Sequence, residues 1–201
     1  MLEAIFQGII MGLILSTFCG PIFFMIINLG ITNSLKSVFY LSFGVFLSDA
    51  LIIFFLLFVA LASIAELKYL DILYYFGGTL LIYFGIRNLI KKPKVFESNE
   101  VSTKDLNKLM LKGFIINSFN PTILFFWFGA LMLSINNFHN DRNLVLAQFI
   151  TGLIVTLFTD CLKGYLAFQL KGYAKPSFIK ILNIFSGIII IGFGLKLIFF
   201  H

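Results

Sequence analysis

The 201 residues are 60% hydrophobic and 12% charged, with a mean hydropathy of +1.01. Soluble globular domains carry about 25% charged residues, so this composition excludes a soluble domain and favours a chain embedded in lipid. The formal net charge of +6 comes mainly from lysines in short loops beside apolar segments. That placement is typical of membrane topology and not of a nucleic-acid groove, and no nucleic-acid partner is expected.

Six apolar segments follow one another along the chain, at about 4–29, 38–65, 72–90, 113–135, 144–170 and 178–200. Each is long enough to cross a bilayer, which takes roughly 20 residues. The first segment begins MLEAIF, without the basic residues of a secretory signal, and is expected to remain in the membrane. We therefore predict a single all-α membrane domain, 1–201, with six transmembrane helices.

Proline interrupts the first segment at Gly20-Pro21 and the fourth at Asn120-Pro121. A helical proline lacks an N–H group and crowds the carbonyl four residues back, which at the second break belongs to Asn117. Half-helix N-termini favour a carboxylate and freed carbonyls favour a cation, so two matched breaks point to a transport site. Simple proline kinks are the alternative. The predicted substrate-binding residues are Gly20, Pro21, Asn117, Asn120 and Pro121.

Two acids lie well inside apolar segments, Asp49 in the second and Asp160 in the fifth. A carboxylate at that depth costs roughly 2.5–3.5 kcal/mol on insertion scales, so it normally faces the bundle interior and has a function. We expect the two aspartates to couple transport to protons or to bind the ammonium of a substrate. For Asp160 the alternative is a structural ion pair with Lys163, one helical turn later.

A lysine-rich stretch, 91–112, separates the third and fourth segments. Its second half is predicted to form a short interfacial helix capped by Ser102 or Thr103, with a flexible linker as the alternative. Eleven Lys and Arg residues fall on the same side of the membrane as this linker, and Lys163 is expected to join them. Three fall on the other side. The linker is therefore predicted to be cytoplasmic, with both termini outside an inner (plasma) membrane.

The two halves, 1–90 and 113–201, contain the same features in the same order. Each has a broken segment, then an aspartate, then a segment in which Phe76-x-Gly78 aligns with Phe185-x-Gly187. Because each half has three spans, the second half enters the membrane upside down, which predicts inverted repeats with a site near the midplane. Chance recurrence of Phe and Gly is the alternative. Glycines expected to allow close helix packing are Gly8, Gly12, Gly44, Gly78, Gly85, Gly152, Gly187 and Gly194.

Two other chemistries fit part of the pattern. Cys19 and Cys161 are compatible with a membrane thiol–disulfide electron carrier, but the repeat pairs Cys19 with Phe119, and buried cysteine is usually an apolar filler. Asp49 and Asp160 are compatible with an intramembrane aspartyl protease, but the second lacks a preceding Gly-x-Gly. The two histidines have no metal-ligand partner nearby, and neither a metal nor a cofactor is expected.

Over nearly its whole length the chain resembles the amino-acid exporters related to the lysine exporter and the homoserine/threonine efflux proteins. The likeness rests on Gly20-Pro21, Gly44-x4-Asp49, Gly78-x6-Gly85 and Asn120-Pro121 followed by Leu124-Phe125-Phe126. Where the family commonly has proline and lysine, this chain has Cys19 and Thr122, and both departures bear on the substrate.

That resemblance implies a secondary active exporter, not an enzyme, that moves amino acids or related small amines and zwitterions and is driven by the proton gradient. The implied partners are the small-molecule substrate, protons and the lipid bilayer. A homo-oligomeric state is left open.

Overall fold

A computed structural model of the protein describes residues 1–32, 34–63, 70–90, 106–139, 141–169 and 176–199. Within these ranges the chain forms eight α-helices and no strand, which confirms the all-α class. The helices are α1 (Leu2–Ser16), α2 (Pro21–Thr32), α3 (Leu35–Ser63), α4 (Leu70–Ile90), α5 (Leu106–Ser118), α6 (Pro121–Asn137), α7 (Arg142–Gln169) and α8 (Pro176–Phe199).

Two of these helices, α3 and α7, are long and apolar enough to cross a membrane by themselves. The pairs α1–α2 and α5–α6 meet the same criterion as bent spans, with bends of 77° and 64°. The described apolar stretches of α4 and α8 are shorter, Gly78–Arg87 and Gly187–Lys196. The described residues therefore contain two to four candidate membrane spans, and the six-span arrangement stays a prediction.

The two broken segments break where the sequence predicts, because α2 begins at Pro21 and α6 begins at Pro121. Each proline takes the first position of a helix, where its missing N–H group removes no intrahelical hydrogen bond. The carbonyl of Asn117 was expected to be free, and that expectation is wrong. It accepts the N–H of Asn120 at 3.0 Å, since the chain turns tightly between α5 and α6.

The described part of the predicted linker belongs to α5. This helix begins at Leu106 and runs without interruption into the fourth apolar segment. Leu109 is buried and packs in one cluster with Ile26 and Leu41, so it faces the protein core and not lipid. Residues 91–105, which include both predicted helix caps, lie outside the described residues.

Glycines bring helices from the two halves into backbone contact. At Gly12 in α1, an added Cβ would stand 2.6 Å from the carbonyl oxygen of Gly152 in α7. At Gly44 in α3, it would overlap the carbonyl oxygen of Met110 in α5. No Cβ is tolerated at such distances, so the first half of each broken span packs tightly on the long helix of the other half. This packing brings the two breaks together.

Candidate functional site

A cavity of about 500 Å³ lies between the two helix breaks. The breaks face each other, because a Cβ added at Gly20 would stand 3.5 Å from the side-chain nitrogen of Asn120. Small-ligand sites commonly measure about 300–1,000 Å³, so an amino acid fits this volume. Its wall includes all seven residues predicted to form the site: Gly20, Pro21, Asp49, Asn117, Asn120, Pro121 and Asp160.

The two breaks differ in how their second helices are capped. Asn120 has extended backbone, and its Oδ1 accepts the N–H of Thr122 at 3.1 Å, which caps α6. The equivalent position before α2 is Gly20, which has no side chain to offer. The first N–H groups of a helix have no acceptor within that helix, so α2 presents its N-terminal turn to the cavity without a cap from this position.

Asp49 is held by neutral hydrogen-bond donors. Its Oδ1 accepts the Nδ2–H of Asn117 at 2.8 Å and the indole N–H of Trp127 at 3.0 Å. The Asn117 amide also donates to the hydroxyl of Ser48 at 3.2 Å, which fixes its orientation. Asp49 is 1% exposed, and no basic side chain in the described ranges forms an ion pair with it. Its carboxyl group therefore faces the cavity without a charged counterpart.

Asp160 has a cationic partner. It forms an ion pair with the ammonium of Lys163, so the structural alternative considered for this residue is present. The same ammonium donates to the carbonyl of Ser16 at 2.8 Å, at the end of α1, and lies 5.5 Å from the ring centre of Phe23. Lys163 thus lies in the cavity wall.

Under the predicted repeat, the two aspartates are equivalent but their surroundings are not. The offset that aligns Pro21 with Pro121 aligns Thr17 with Asn117 and Ile27 with Trp127. The Thr17 hydroxyl donates to the carbonyl of Ile14 in its own helix, and isoleucine has no donor. Asp160 therefore lacks the two donors that hold Asp49, and a lysine on its own helix compensates its charge.

Sequence reasoning gave no site role to three residues that belong here. Trp127 is the one tryptophan of the chain and is fully buried. A buried indole N–H needs an acceptor, so a single tryptophan in an apolar segment was a usable signal for a polar partner. Lys163 was considered as a neutralising charge for Asp160 and as one of the charges that set the orientation. Arg87 lines the cavity from the end of α4. An arginine at the end of an apolar segment has the pattern of a loop charge, so one sequence contains no signal for it.

The cysteines show no sign of redox pairing. Cys19 is buried and lines the cavity, Cys161 is half-buried on α7, and neither of these two described residues forms a disulfide bond. The structure therefore gives no support to a disulfide carrier.

Comparison with known proteins gives one family. The family model described as LysE type translocator matches residues 13–200 of this chain. No curated protein and no solved structure matches. The matched range includes both helix breaks and both buried aspartates.

Proposed function

The chain belongs to the LysE type translocator family, and from that membership we propose that it is a secondary active exporter of amino acids or related small amines and zwitterions, driven by protons. Members of this family are membrane transporters and not enzymes, which removes the aspartyl protease alternative. The observation that carries the proposal is the cavity between two broken helices, walled by an unpaired carboxyl group and helix ends.

Asp49 is the proposed coupling residue. A buried carboxylate without a cation is costly, so a proton or a substrate ammonium gains free energy by binding there. Asn117 and Trp127 hold the carboxyl group in place for either occupant. Because the two occupants compete for one group, release of substrate on one side accompanies uptake of a proton. That competition gives an exchange of substrate for protons.

The carboxylate of a zwitterion is proposed to bind near the first break and Arg87. A guanidinium group binds a carboxylate through two parallel hydrogen bonds, and Arg87 lines the cavity. A helix N-terminus also favours negative charge, and the turn that begins at Pro21 has no side-chain cap at Gly20. The α6 turn has such a cap from Asn120, so the first break is the better carboxylate site.

We further propose six spans arranged as two inverted repeats, 1–90 and 113–201, joined by the cytoplasmic linker 91–112. The packing of α4 on α8 supports this. A Cβ added at Gly78 would stand 2.8 Å from the carbonyl oxygen of Gly194, and one added at Gly194 would stand 2.8 Å from that of Gly78. Gly85 and Gly187 make the same reciprocal contact at 2.9 and 2.8 Å.

The predicted repeat maps one glycine pair onto the other, since it aligns Gly78 with Gly187 and Gly85 with Gly194. Such reciprocity is expected where a two-fold axis passes between equivalent helices. With the basic residues cytoplasmic and both termini outside the inner membrane, rocking of one repeat against the other would expose the cavity to each side in turn.

The direct test is flux in proteoliposomes, with a panel of amino acids, for the wild type, Asp49→Asn and Glu3→Gln. Asparagine keeps an acceptor for Trp127 but cannot bind a proton or hold an ammonium, so substrate-dependent proton movement should be lost. Glu3 is exposed and lies away from the cavity, so Glu3→Gln should behave as wild type. Unchanged flux in Asp49→Asn would remove Asp49 from the coupling role. No flux with any amino acid would contradict the substrate class.

A further inference from the structure

The ammonium of Lys163 sits in a complete cation site. Three kinds of group surround it: the carboxylate of Asp160, the carbonyl of Ser16 and the face of the Phe23 ring. Carboxylates and carbonyls at a helix end bind ammonium ions, and an aromatic face attracts them as well. These groups come from three different helices, α7, α1 and α2, so the site is assembled by the fold around the first break.

This site and Asp49 belong to one cavity. Asp49, Asp160 and Lys163 all line it, so the cavity wall holds two carboxylates of which one is already paired. Under the predicted repeat, the counterpart of Lys163 in α3 is Ile52, which cannot supply an ammonium to Asp49. One half of the molecule therefore supplies its aspartate with a cation, and the other half places an apolar side chain at the corresponding position.

We propose that Lys163 is a tethered occupant of a second ammonium subsite and makes the transporter selective for solutes with a single cationic group. A solute with two ammonium groups needs both carboxylates, and Lys163 holds one of them. Removal of the Lys163 side chain leaves a vacant site of carboxylate, carbonyl and ring that accepts a free alkylammonium ion. The selectivity part rests on the proposed function, whereas the vacant subsite is a property of the fold alone.

The first experiment measures binding and needs no transport. The thermal unfolding of purified Lys163→Ala is followed with n-propylammonium, which replaces the atoms that the substitution removes, and with n-propanol as the uncharged analogue. The Tm of Lys163→Ala should rise by at least about 3 °C with saturating n-propylammonium and stay unchanged with n-propanol. The wild type and Lys196→Ala, which removes an exposed lysine at the end of α8, should show no such rise.

The double variant Asp160→Asn/Lys163→Ala identifies the subsite. It lacks the carboxylate as well as the lysine, so n-propylammonium should not raise its Tm. If Lys163→Ala folds only when the ion is present during purification, the recovery of monodisperse protein is the readout and supports the subsite. Absence of any n-propylammonium effect on either Tm or recovery would overturn it, as would an equal effect in the double variant.

Selectivity is tested by flux of L-ornithine relative to the monoamino acid that the wild type moves fastest. In Lys163→Ala this ratio should increase by at least about tenfold over wild type, since the second ammonium of ornithine gains a partner. If n-propylammonium raises the Tm of Lys163→Ala but the flux ratio is unchanged, the selectivity role of Lys163 is rejected. A wild type without flux would contradict the proposed function and leave the n-propylammonium result to decide on the subsite.

Discussion

A carboxyl group inside a membrane protein needs donors or a cation around it, and the two cavity aspartates meet this need differently. Asp49 has an amide and an indole, and Asp160 has an ammonium. Neutral donors hold a carboxylate in place without cancelling its charge, whereas an ion pair neutralises it. The chemistry of proton and substrate exchange therefore belongs to Asp49 in our proposal, and the role of Asp160 depends on Lys163.

Trp127→Phe removes the indole N–H from Asp49 and retains most of the ring volume. A hydrogen bond to a charged group contributes about 1.5–3 kcal/mol, so we expect a loss of stability in this range and a several-fold fall in substrate-dependent proton flux. Thermal unfolding in detergent and proteoliposome flux measure the two effects.

Phe149→Leu is the matched control for Trp127→Phe. The Phe149 ring lies 5.7 Å from the indole, centroid to centroid, and forms no bond to Asp49. This variant should lose stability through packing and keep its proton coupling. Equal coupling losses in both variants would mean that Trp127 acts only by filling the core.

At the level of helices, local chemistry predicted the breaks and tertiary contacts determined the rest. Proline at 21 and 121 breaks a helix for reasons contained in the residue itself, so the sequence was sufficient. The bond from Trp127 to Asp49 depends on how α6 packs against α3, and the bond from Lys163 to Ser16 on how α7 meets α1. Spacing within one helix contains no information about such contacts between helices.

Gly44→Ala tests the crossing of α3 and α5. The new methyl group would overlap the backbone carbonyl of Met110, which cannot move without displacing α5. We expect a loss of about 1–3 kcal/mol in stability from overpacking. Because α5 carries Asn117, the bond to Asp49 should weaken and flux should fall as well. Thermal unfolding and flux are the measurements.

The control for Gly44→Ala is Gly192→Ala in α8, where an added Cβ meets no atom within 4 Å. Alanine is a better helix former than glycine by roughly 0.5–1 kcal/mol, so this variant should be as stable as wild type or slightly more stable. The expected change in stability is therefore a loss for Gly44→Ala and no change or a small gain for Gly192→Ala. A stability loss of the same size at both positions would show that close backbone approach is not the reason for Gly44.

On the scale of the whole molecule, the two halves share several backbone features and differ in chemistry. Both have a broken span, and α4 and α8 contact each other through reciprocal glycine pairs. Among the residues that the structure describes, only one half supplies its buried aspartate with a lysine, and only one break has an asparagine cap. A symmetric backbone would allow two equivalent packings, open to opposite sides, while unequal side chains give the solute a defined orientation in the cavity.

The predicted topology can be tested with single cysteines and a membrane-impermeant thiol reagent. In a background with Cys19 and Cys161 replaced by serine, Asn137→Cys at the end of α6 should react from outside in right-side-out vesicles. Lys36→Cys, at the start of α3, should react only after the vesicles are opened. Both positions are exposed, so reactivity reports the side of the membrane and not burial.

The six-span topology places these two positions on opposite sides of the membrane. The first broken span crosses from outside to inside before Lys36, and the second crosses from inside to outside before Asn137. Labelling of both from one side would contradict the inverted repeat while leaving the cavity and its residues as described.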